Sequence, residues 1–439
     1  MVAAEVHQYL DRYGEEVIRD LQDNLQAVLP QRYEFVLVIP LFDEALDCLD
    51  SILPIDIQDA LIILVVNAAM DAEPMAIART QAFLAQFTPQ GSGPLTRVDG
   101  DRNSSLLILD CCSPSQQLPA KQGVGLARKL GGDLALACIA QGRVARPWIH
   151  CTDGDVSLPK GYFVTPEPDP TVAVVLYPFR HQPQHPAILQ YEISLRYYVT
   201  QLAQAQSPYA YHSIGSLLKI NALHYAKVRG FPKRQAAEDF YMLNKLAKTG
   251  SVLRLSTPEV TLSSRTSGRV PFGTGAAMIR LADRHPLLLY HPQIFRELQH
   301  WLAAIEKLWL ERRDLPCDLM REGWQAQGLG APLQETLLFL GADEALHQAH
   351  RQCRDLAHFQ FFMAVWFDAF RTLKFVHHQR DHYWPSLEMT EAIALTTSLR
   401  NTPDLSLVNI HTRLRHQEDQ LPLEIGPTLA SAARGKPET

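Results

Sequence analysis

The apolar residues of this chain follow two patterns, and each pattern predicts a different element. Between residues 4 and 29 they recur at steps of three and four, which predicts an amphipathic helix that ends at Pro30. Short apolar runs then predict strands: FVLVIP (35–40), ALIILVV (60–66), SLLILD (105–110) and PWIHCTD (147–153). Helix-length segments lie between them: 43–53, 72–87 and 121–141. Strands that alternate with helices predict βαβ units and a mainly parallel sheet.

Two further stretches complete the predicted organisation. GSGPLTRVDGDRNS (91–104) is rich in glycine and polar residues and predicts a mobile connector. From about residue 280 the helical spacing returns over long stretches with almost no glycine or proline. The predicted domains are an N-terminal amphipathic helix (1–34), an α/β domain (35–279), a helical C-terminal domain (280–420) and a flexible tail (421–439). The large apolar helical region is compatible with a homodimer.

Composition and charge narrow the classes of function. The chain has 439 residues, of which 46% are hydrophobic and 20% charged, as in a globular protein of two or three domains. Its formal charge of −6 argues against a general nucleic-acid binder, which carries a basic field. No stretch approaches the roughly 20 apolar residues of a transmembrane helix, and the N-terminus lacks the basic and apolar regions of a secretory signal.

Cysteine usage predicts the compartment. The seven cysteines are odd in number, none has CxxC spacing, and most lie in apolar runs. They predict buried thiols in a reducing compartment instead of a disulfide framework or a zinc site. We therefore expect a cytoplasmic protein.

Polar residues follow the predicted strands, at the place where parallel sheets bind ligands. LFDE and NAAMDA follow the first and second strands, and Asp153-Gly154-Asp155 ends the last one. In open parallel sheets, ligands lie beyond the carboxyl ends of the strands. An Asp-Gly dipeptide by itself is typical of a turn, so it is the position of this triplet that favours a ligand site.

Five motifs follow one another along the α/β region. They are VLVIPLFDE (36–44), VVNAAMD (65–71), KQGVGLARKLGGDLAL (121–136), CTDGDVSLPKGYF (151–163) and IGSLLKINALHYAKVRGFPKRQAAEDFYMLNKLAKTG (214–250). In this order they resemble the family-2 glycosyltransferases, whose Rossmann-like GT-A fold binds nucleotide-diphosphate-sugars. The resemblance spans roughly residues 35–275 and depends on the combination of the motifs, since short motifs match by chance.

The resemblance implies a metal-dependent transfer of one sugar from a nucleotide-sugar donor to a hydroxyl acceptor. The diphosphate leaving group is anionic, and a divalent cation that neutralises it helps it to depart. Carboxylate oxygens suit hard cations such as Mn²⁺ and Mg²⁺. By resemblance, Asp155 would bind the metal directly, and Asp153 would hold the ribose or a water on the metal. Gly154 would keep the backbone close to the diphosphate.

The resemblance also implies contacts to the nucleoside. Pro40, Phe42 and Glu44 would border the base and the ribose, and Asn67 would read the base edge. Asn67-Ala68-Ala69 departs from the Asp-rich loop of many family members. This departure leaves open which base is bound and whether Asp71 substitutes.

Two arginines are candidates for contacts to the diphosphate. Arg128 would lie beneath the nucleotide and pair with the diphosphate or with Asp153, and a surface helix cation is the equal alternative. Arg265 lies in the loop SSRTSGRVPFGTG (263–275), which could close over the diphosphate. There is no histidine between residues 225 and 284, so the metal would rely on Asp155, phosphate and water. The loop also lacks the Q-x-x-R-W signature of processive synthases, which favours transfer of a single sugar.

Glu238-Asp239 forms a second carboxylate pair. The resemblance implies that Asp239 is the general base that takes the proton of the acceptor hydroxyl, with Glu238 as its support or as an acceptor contact. Acidic residues also favour the first turn of a helix because they complement its dipole, which is the structural alternative. The cations of KVRGFPKR (227–234) could receive an anionic acceptor or form a solvated loop.

Three readings of the function stay open at this stage. The leading one is an inverting, non-processive glycosyltransferase, as in most of the family. A second is a retaining GT-A enzyme that makes a small glycosylated solute, such as a glyceric acid glycoside. The third is a non-catalytic nucleotide-sugar-binding or scaffold protein whose helical half is its partner surface.

Overall fold

The computed structural model describes residues 4–87, 94–185, 187–266, 273–282, 286–310, 324, 328–400 and 404–427. The chain divides into two compact units. The first consists of Met1–Gln182, Ser213–Ser264 and Arg269–Gly273, and the second of Pro183–His212, Arg265–Gly268 and Thr274–Thr439. The domain boundaries expected from the sequence stay predictions.

The first unit is mixed α/β. Its strands are β1 (Phe35–Leu41), β2 (Ala60–Asn67), β3 (Leu95–Asp99), β4 (Ser105–Cys111), β5 (Trp148–Cys151), β6 (Val172–Leu176), β7 (Phe179–His181), β8 (Leu218–Asn221), β9 (Ser251–Arg254) and β10 (Val260–Leu262). Eight of these strands lie in the large sheet, in the order β9-β6-β8-β5-β1-β2-β4-β3, while β10 and β7 pair with each other. Strands β5, β1, β2 and β4 are parallel to one another, whereas β8 runs antiparallel to β5 and β6. The predicted α/β class and mainly parallel sheet are confirmed.

The apolar runs become strands because both faces of the central sheet are covered. Every residue of β2 and all but the first residue of β1 are buried. A parallel strand buried on both faces needs a continuous apolar sequence, and for this reason the apolar runs predicted these strands correctly. The connector predicted over 91–104 is wrong in part, because Leu95–Asp99 forms β3 and pairs antiparallel with β4. An edge strand pairs on one side only, so its sequence can remain half polar.

The helices of the first unit begin with a broken N-terminal segment. They are α1 (Ala4–Arg12), α2 (Glu16–Gln22), α3 (Leu25–Val28), α4 (Cys48–Ile52), α5 (Pro74–Leu84), α6 (Gly123–Ala140), α8 (Ala222–Lys227) and α9 (Glu238–Leu246), with α7 (Ile188–Gln204) in the second unit. The single helix predicted over 4–29 is therefore wrong. The chain leaves the helix near Gly14, a poor helix former, and Glu15 is extended. The apolar spacing still marks the buried side, which contains Val6, Leu10 and Ile18.

Helix α6 is the buried centre of the first unit, and every residue from Gly125 to Ile139 is buried. Its glycines permit close packing. A Cβ at Gly131 would clash with Val38 of β1, and a Cβ at Gly132 would lie 2.5 Å from the hydroxyl of Tyr225. The helix therefore lies directly against the strands that lead to the candidate site.

A buried polar network attaches α1 to α6. The Tyr9 hydroxyl donates to Asp133 Oδ1 (2.6 Å), and the Tyr225 hydroxyl donates to the same oxygen (2.8 Å). Lys129 Nζ donates to Asp133 Oδ2 (3.1 Å) and to Tyr9 (2.5 Å). Burial raises the pKa of Asp133, while Lys129 and Tyr9 act in the opposite direction. The N-terminal segment is thus bound through partners that compensate a buried carboxyl group.

The second unit is largely helical. It contains α10 (Thr274–Ala282), α11 (Pro292–Leu310), α12 (Ala331–Phe339), α13 (Ala342–Gln352), α14 (Leu356–Trp366), α15 (Ala369–His382), α16 (Met389–Leu395), α17 (Leu407–Asp419) and the two-residue strands β11 (Leu288–Leu289), β12 (Leu387–Glu388) and β13 (Glu424–Ile425). Trp301, Phe359 and Phe375 lie in its apolar core. Over the residues that the structure covers, no helix is both long and apolar enough to cross a membrane.

The six cysteines that the structure describes are buried, as expected from the sequence. Cys48, Cys111, Cys112, Cys138, Cys151 and Cys353 are free thiols, and Cys317 lies outside the described residues. Burial raises the pKa of the Cys138 thiol to about 12, so this group is an inert thiol at neutral pH.

Candidate functional site

The strand order of the sheet changes direction between β1 and β5. The chain proceeds from β1 to β2 and β4 on one side of β1, and then returns to β5 on its other side. Ligands of open α/β sheets bind at such a switch point, beyond the carboxyl ends of the strands. Phe42 and Glu44 follow β1 at this point, and Asp153 and Asp155 follow β5. The topology therefore brings the first and fourth sequence motifs together.

Gly154 lies where the two loops meet. A Cβ on this residue would be 2.6 Å from Leu41 Cδ2 and 2.9 Å from Glu44 Cγ. A side chain at this position would have to displace the side chains of Leu41 and Glu44. The glycine of the Asp-Gly-Asp triplet therefore leaves room for these two side chains at the end of β1.

Arg128 is a buried link between the two carboxylate pairs. Its guanidinium donates to Asp153 Oδ1 and, from Nε, to Glu238 Oε1 at 2.9 Å. It also donates weakly to the carbonyl oxygens of Thr152 (3.4 Å) and Gly215 (3.3 Å). The side chain is only 3% exposed. Burial acts to lower its pKa, but the charges of Asp153 and Glu238 outweigh burial and raise it. Arg128 is thus a permanent buried cation and not the surface cation of the alternative reading.

Sequence reasoning missed two residues that complete this link. The Ser216 hydroxyl donates to Asp153 Oδ2, so both oxygens of that carboxylate accept hydrogen bonds. Gly215 precedes it in a short 3₁₀ turn, and a Cβ there would lie 2.5 Å from a guanidinium nitrogen of Arg128. The Ile-Gly-Ser start of the fifth motif (214–250) was the available signal, but nothing local in the sequence connects it to Asp153.

Asp239 is the second residue of α9 and is surrounded by other charged groups. The preceding Ala237 has φ 61°, in the left-handed region, and this sharp turn places Glu238 and Asp239 in the first turn of the helix. Burial and then the charge of Glu238 raise the pKa of Asp239 to about 7, while Arg128 acts to lower it. Its Oδ1 accepts a hydrogen bond from the backbone nitrogen of Phe240 at 2.7 Å. A carboxyl group with this pKa can exchange a proton near neutral pH.

Two of the predicted nucleoside contacts, Pro40 and Asn67, have structural roles in the sheet. Pro40 is buried within β1, opposite Val65 of β2. The side-chain nitrogen of Asn67 donates to the carbonyl oxygens of Leu41 (3.1 Å) and Val65 (3.0 Å). Asn67 therefore joins the ends of β1 and β2, and its amide donors are engaged by the backbone. Phe42 and Glu44 are partly exposed at the switch point, and Asp71 is exposed.

The metal-ligand set provided by the protein is small. Both oxygens of Asp153 accept hydrogen bonds from Arg128 and Ser216, and Asp155 is half-buried two residues further on. Among the residues that the structure describes, no group of three or more His, Cys, Asp or Glu side chains could hold a metal ion. This donor set fits a cation that is ligated by Asp155 and otherwise by phosphate oxygens and water, as with Mg²⁺ in many phosphate sites.

Arg265 belongs to the second unit, and its role at the diphosphate stays a prediction. A cavity of about 160 Å³ is lined in part by Phe35, Tyr162 and Phe163. Phe35 is the first residue of β1, so this cavity lies at the amino end of the strand, away from the switch point. No predicted site residue lines it.

No model of a protein family matches this chain, and no curated protein matches it. The resemblance to family-2 glycosyltransferases is therefore carried by the residues of the chain alone.

Proposed function

We propose that this chain is a metal-dependent glycosyltransferase that moves one sugar from a nucleotide-diphosphate-sugar to a hydroxyl acceptor, with inversion and without processive polymerisation. The GT-A form of the α/β fold, a cytoplasmic location and a homodimer belong to the same proposal. The observation that supports it most is the meeting of two carboxylate pairs around buried Arg128, at the switch point of a mainly parallel sheet.

On the donor side, the chain offers two carboxylates, Asp153 and Asp155. Asp153 is held by Arg128 and Ser216, so its position is set before a donor arrives. A divalent cation on Asp155, with Asp153 acting through water or on the ribose, would neutralise the charge of the leaving diphosphate. Gly154 has no side chain that would separate the backbone from the diphosphate, and a Cβ there would also clash with Leu41 and Glu44.

On the acceptor side, Asp239 has the properties of a general base. A pKa of about 7 means that a large fraction of Asp239 is ionised at neutral pH and that it can still hold the proton it receives. Glu238 is bound to Arg128 and therefore serves to orient the start of α9. Direct displacement with inversion needs one such base, and Asp239 is the candidate.

The donor proposal is tested by thermal unfolding of the protein with UDP-, GDP-, ADP- and dTDP-sugars, with and without Mn²⁺. A donor at a hundred times its dissociation constant should stabilise the protein by about 2.7 kcal/mol. We expect Asp155→Asn to abolish the part of this stabilisation that depends on Mn²⁺. Asp20→Asn is the control, because Asp20 is exposed, and it should leave the stabilisation unchanged. A wild-type protein that responds to no donor, or an Asp155→Asn variant that responds fully, would contradict the proposal.

The base assignment has a separate test. Asp239→Asn should abolish transfer while nucleotide-sugar binding stays nearly intact, and unchanged turnover would rule Asp239 out as the base. The anomeric configuration of the product, read by NMR, distinguishes an inverting from a retaining enzyme. Donor binding without any donor hydrolysis or transfer would favour the scaffold alternative.

A further inference from the structure

The loop before α9 is fixed to the first turn of α6. The backbone nitrogen of Gly125 donates to the carbonyl oxygen of Arg234 at 3.0 Å. A Cβ on Gly125 would lie 2.5 Å from the carbonyl oxygens of both Arg234 and Pro232. The backbone of Arg234 therefore has a defined position next to the helix that carries Arg128.

Three other cations around this loop already have partners. The guanidinium of Arg229 lies over the Tyr13 ring, 4.1 Å from its centroid. Lys233 Nζ forms an ion pair with Glu15 Oε1 at 3.1 Å. Lys245 Nζ donates to the carbonyl oxygen of Gly230 at 3.3 Å. These contacts hold the N-terminal segment and the loop together.

Arg234 differs from its neighbours. Its guanidinium carbon lies 3.9 Å from the centroid of the Tyr241 ring. In the described part of the chain, no carboxylate lies within 4 Å of this guanidinium, and it donates no hydrogen bond. A guanidinium stacked on a ring keeps its N–H edges available for two parallel bonds to a carboxylate or phosphate. The stack also limits the rotamer freedom that a ligand contact would otherwise cost.

The electrostatic surroundings favour an anion. Burial, together with the charges of Lys129 and Arg229, lowers the pKa of Lys245 to about 8. Asp133 neutralises Lys129, and Arg128 neutralises Glu238. Among the described residues, Arg229 and Lys245 are therefore cations without a carboxylate partner on this side of α9.

The position of Arg234 relates it to the acceptor side of the site. Tyr241, on which it stacks, is three residues beyond Glu238 on α9 and therefore lies on the same face of the helix as Glu238, which Arg128 binds next to Asp239. We propose that the acceptor carries an anionic group, a phosphate or carboxylate several bonds from the reacting hydroxyl, and that Arg234 binds this group. This inference rests on the proposed function, because Asp239 marks the position of the hydroxyl.

The first experiment measures anion binding without turnover. The Nε–Hε signals of ¹⁵N-arginine-labelled full-length protein are recorded during titration with inorganic phosphate and, separately, acetate. Arg234→Gln assigns the Arg234 signal, and Arg229→Gln assigns an internal control. We expect a saturable shift of the Arg234 signal and at most a small linear shift of Arg229. A non-saturating Arg234 shift, or equal shifts of both, would overturn the inference.

The second experiment measures specificity with the donor that stabilises the protein. Donor consumption is compared for glycerol 3-phosphate, glycerate and uncharged glycerol as paired acceptors. Arg234→Gln should raise KM for a charged acceptor by about 10- to 100-fold, the loss expected for one charge-assisted contact, with kcat and the donor KM within about twofold. Lys227→Gln, an exposed cation six residues after Asn221, is the control with the same change of charge.

The outcomes of the two experiments separate the two proposals. Equal use of uncharged glycerol by the wild-type protein, or an equal rise of KM in Lys227→Gln, would overturn the anionic acceptor while transfer itself stands. Absence of any donor response would overturn the proposed function, and the phosphate titration of Arg234 would remain interpretable.

Discussion

Replacing Arg128 by methionine removes the buried link between the two carboxylate pairs while keeping much of the side-chain volume. Glu238 is 6% exposed and would lose its 2.9 Å partner. Removing one member of a buried ion pair typically costs about 3–5 kcal/mol. Asp153 adds less because it is 32% exposed and is partly screened by water. We therefore expect Arg128→Met to lower the free energy of unfolding by about 3–5 kcal/mol, mostly through Glu238.

A double-mutant cycle separates this effect from lost packing. Glu238→Gln removes the charge that Arg128 compensates, so Arg128→Met should cost less in the Glu238→Gln background. We expect a coupling free energy of about 1–3 kcal/mol. If the double variant loses as much as the sum of the single variants, the guanidinium does not act by compensating Glu238, and the reasoning is refuted.

The assay has to report on the first unit alone, because a protein of two units need not unfold in one step. Trp148 is the one tryptophan of that unit, while Trp301, Trp309, Trp324, Trp366 and Trp384 belong to the second. Labelling with 5-fluorotryptophan gives a separate ¹⁹F signal for each, and Trp148→Phe assigns the informative one. Urea titration of this signal gives the free energy of unfolding for each variant.

Three other predictions follow from single contacts. Transfer by the wild-type protein should increase with pH and level off above about pH 7, since Asp239 with its raised pKa must ionise to act as a base; a profile that is flat through pH 7 would contradict this role. Gly154→Ala should weaken donor binding at least about tenfold, because its Cβ would be 2.6 Å from Leu41. Gly330→Ala should leave donor binding unchanged, because its Cβ would have no neighbour closer than 3.8 Å. Calorimetric titration of the donor compares the two variants. Tyr9→Phe should lower the free energy of unfolding of the first unit by about 1–3 kcal/mol, since it removes a buried 2.6 Å hydrogen bond to the carboxylate on α6; a urea midpoint equal to that of the wild type would show that the network adds no stability.

The raised pKa of Asp239 also makes the stability of the folded protein depend on pH. A carboxyl group whose folded pKa is raised stabilises the folded protein below its unfolded pKa, near 4, and this contribution is lost as the pH rises to about 7. The site therefore carries an electrostatic cost at neutral pH, as functional groups with perturbed pKa values often do.

The sequence by itself determined the elements around the site. The four predicted strands and the three helices between them occur close to their expected positions. Periodicity and apolar runs are local signals. Central parallel strands are buried on both faces, so a continuous apolar run predicts them from the sequence alone. The position of Asp153 and Asp155 at a strand end followed from the same pattern.

Only the tertiary structure decided which of these residues meet. Arg128 contacts Glu238, which is 110 residues away in the chain, and Asp153 contacts Ser216, 63 residues away. No periodicity encodes such pairs, because the partner of a buried charge is selected by proximity in space and by the cost of leaving that charge uncompensated. For the same reason the break of the N-terminal helix near Gly14 and the grouping of Pro183–His212 with the second unit emerged only from the packed chain.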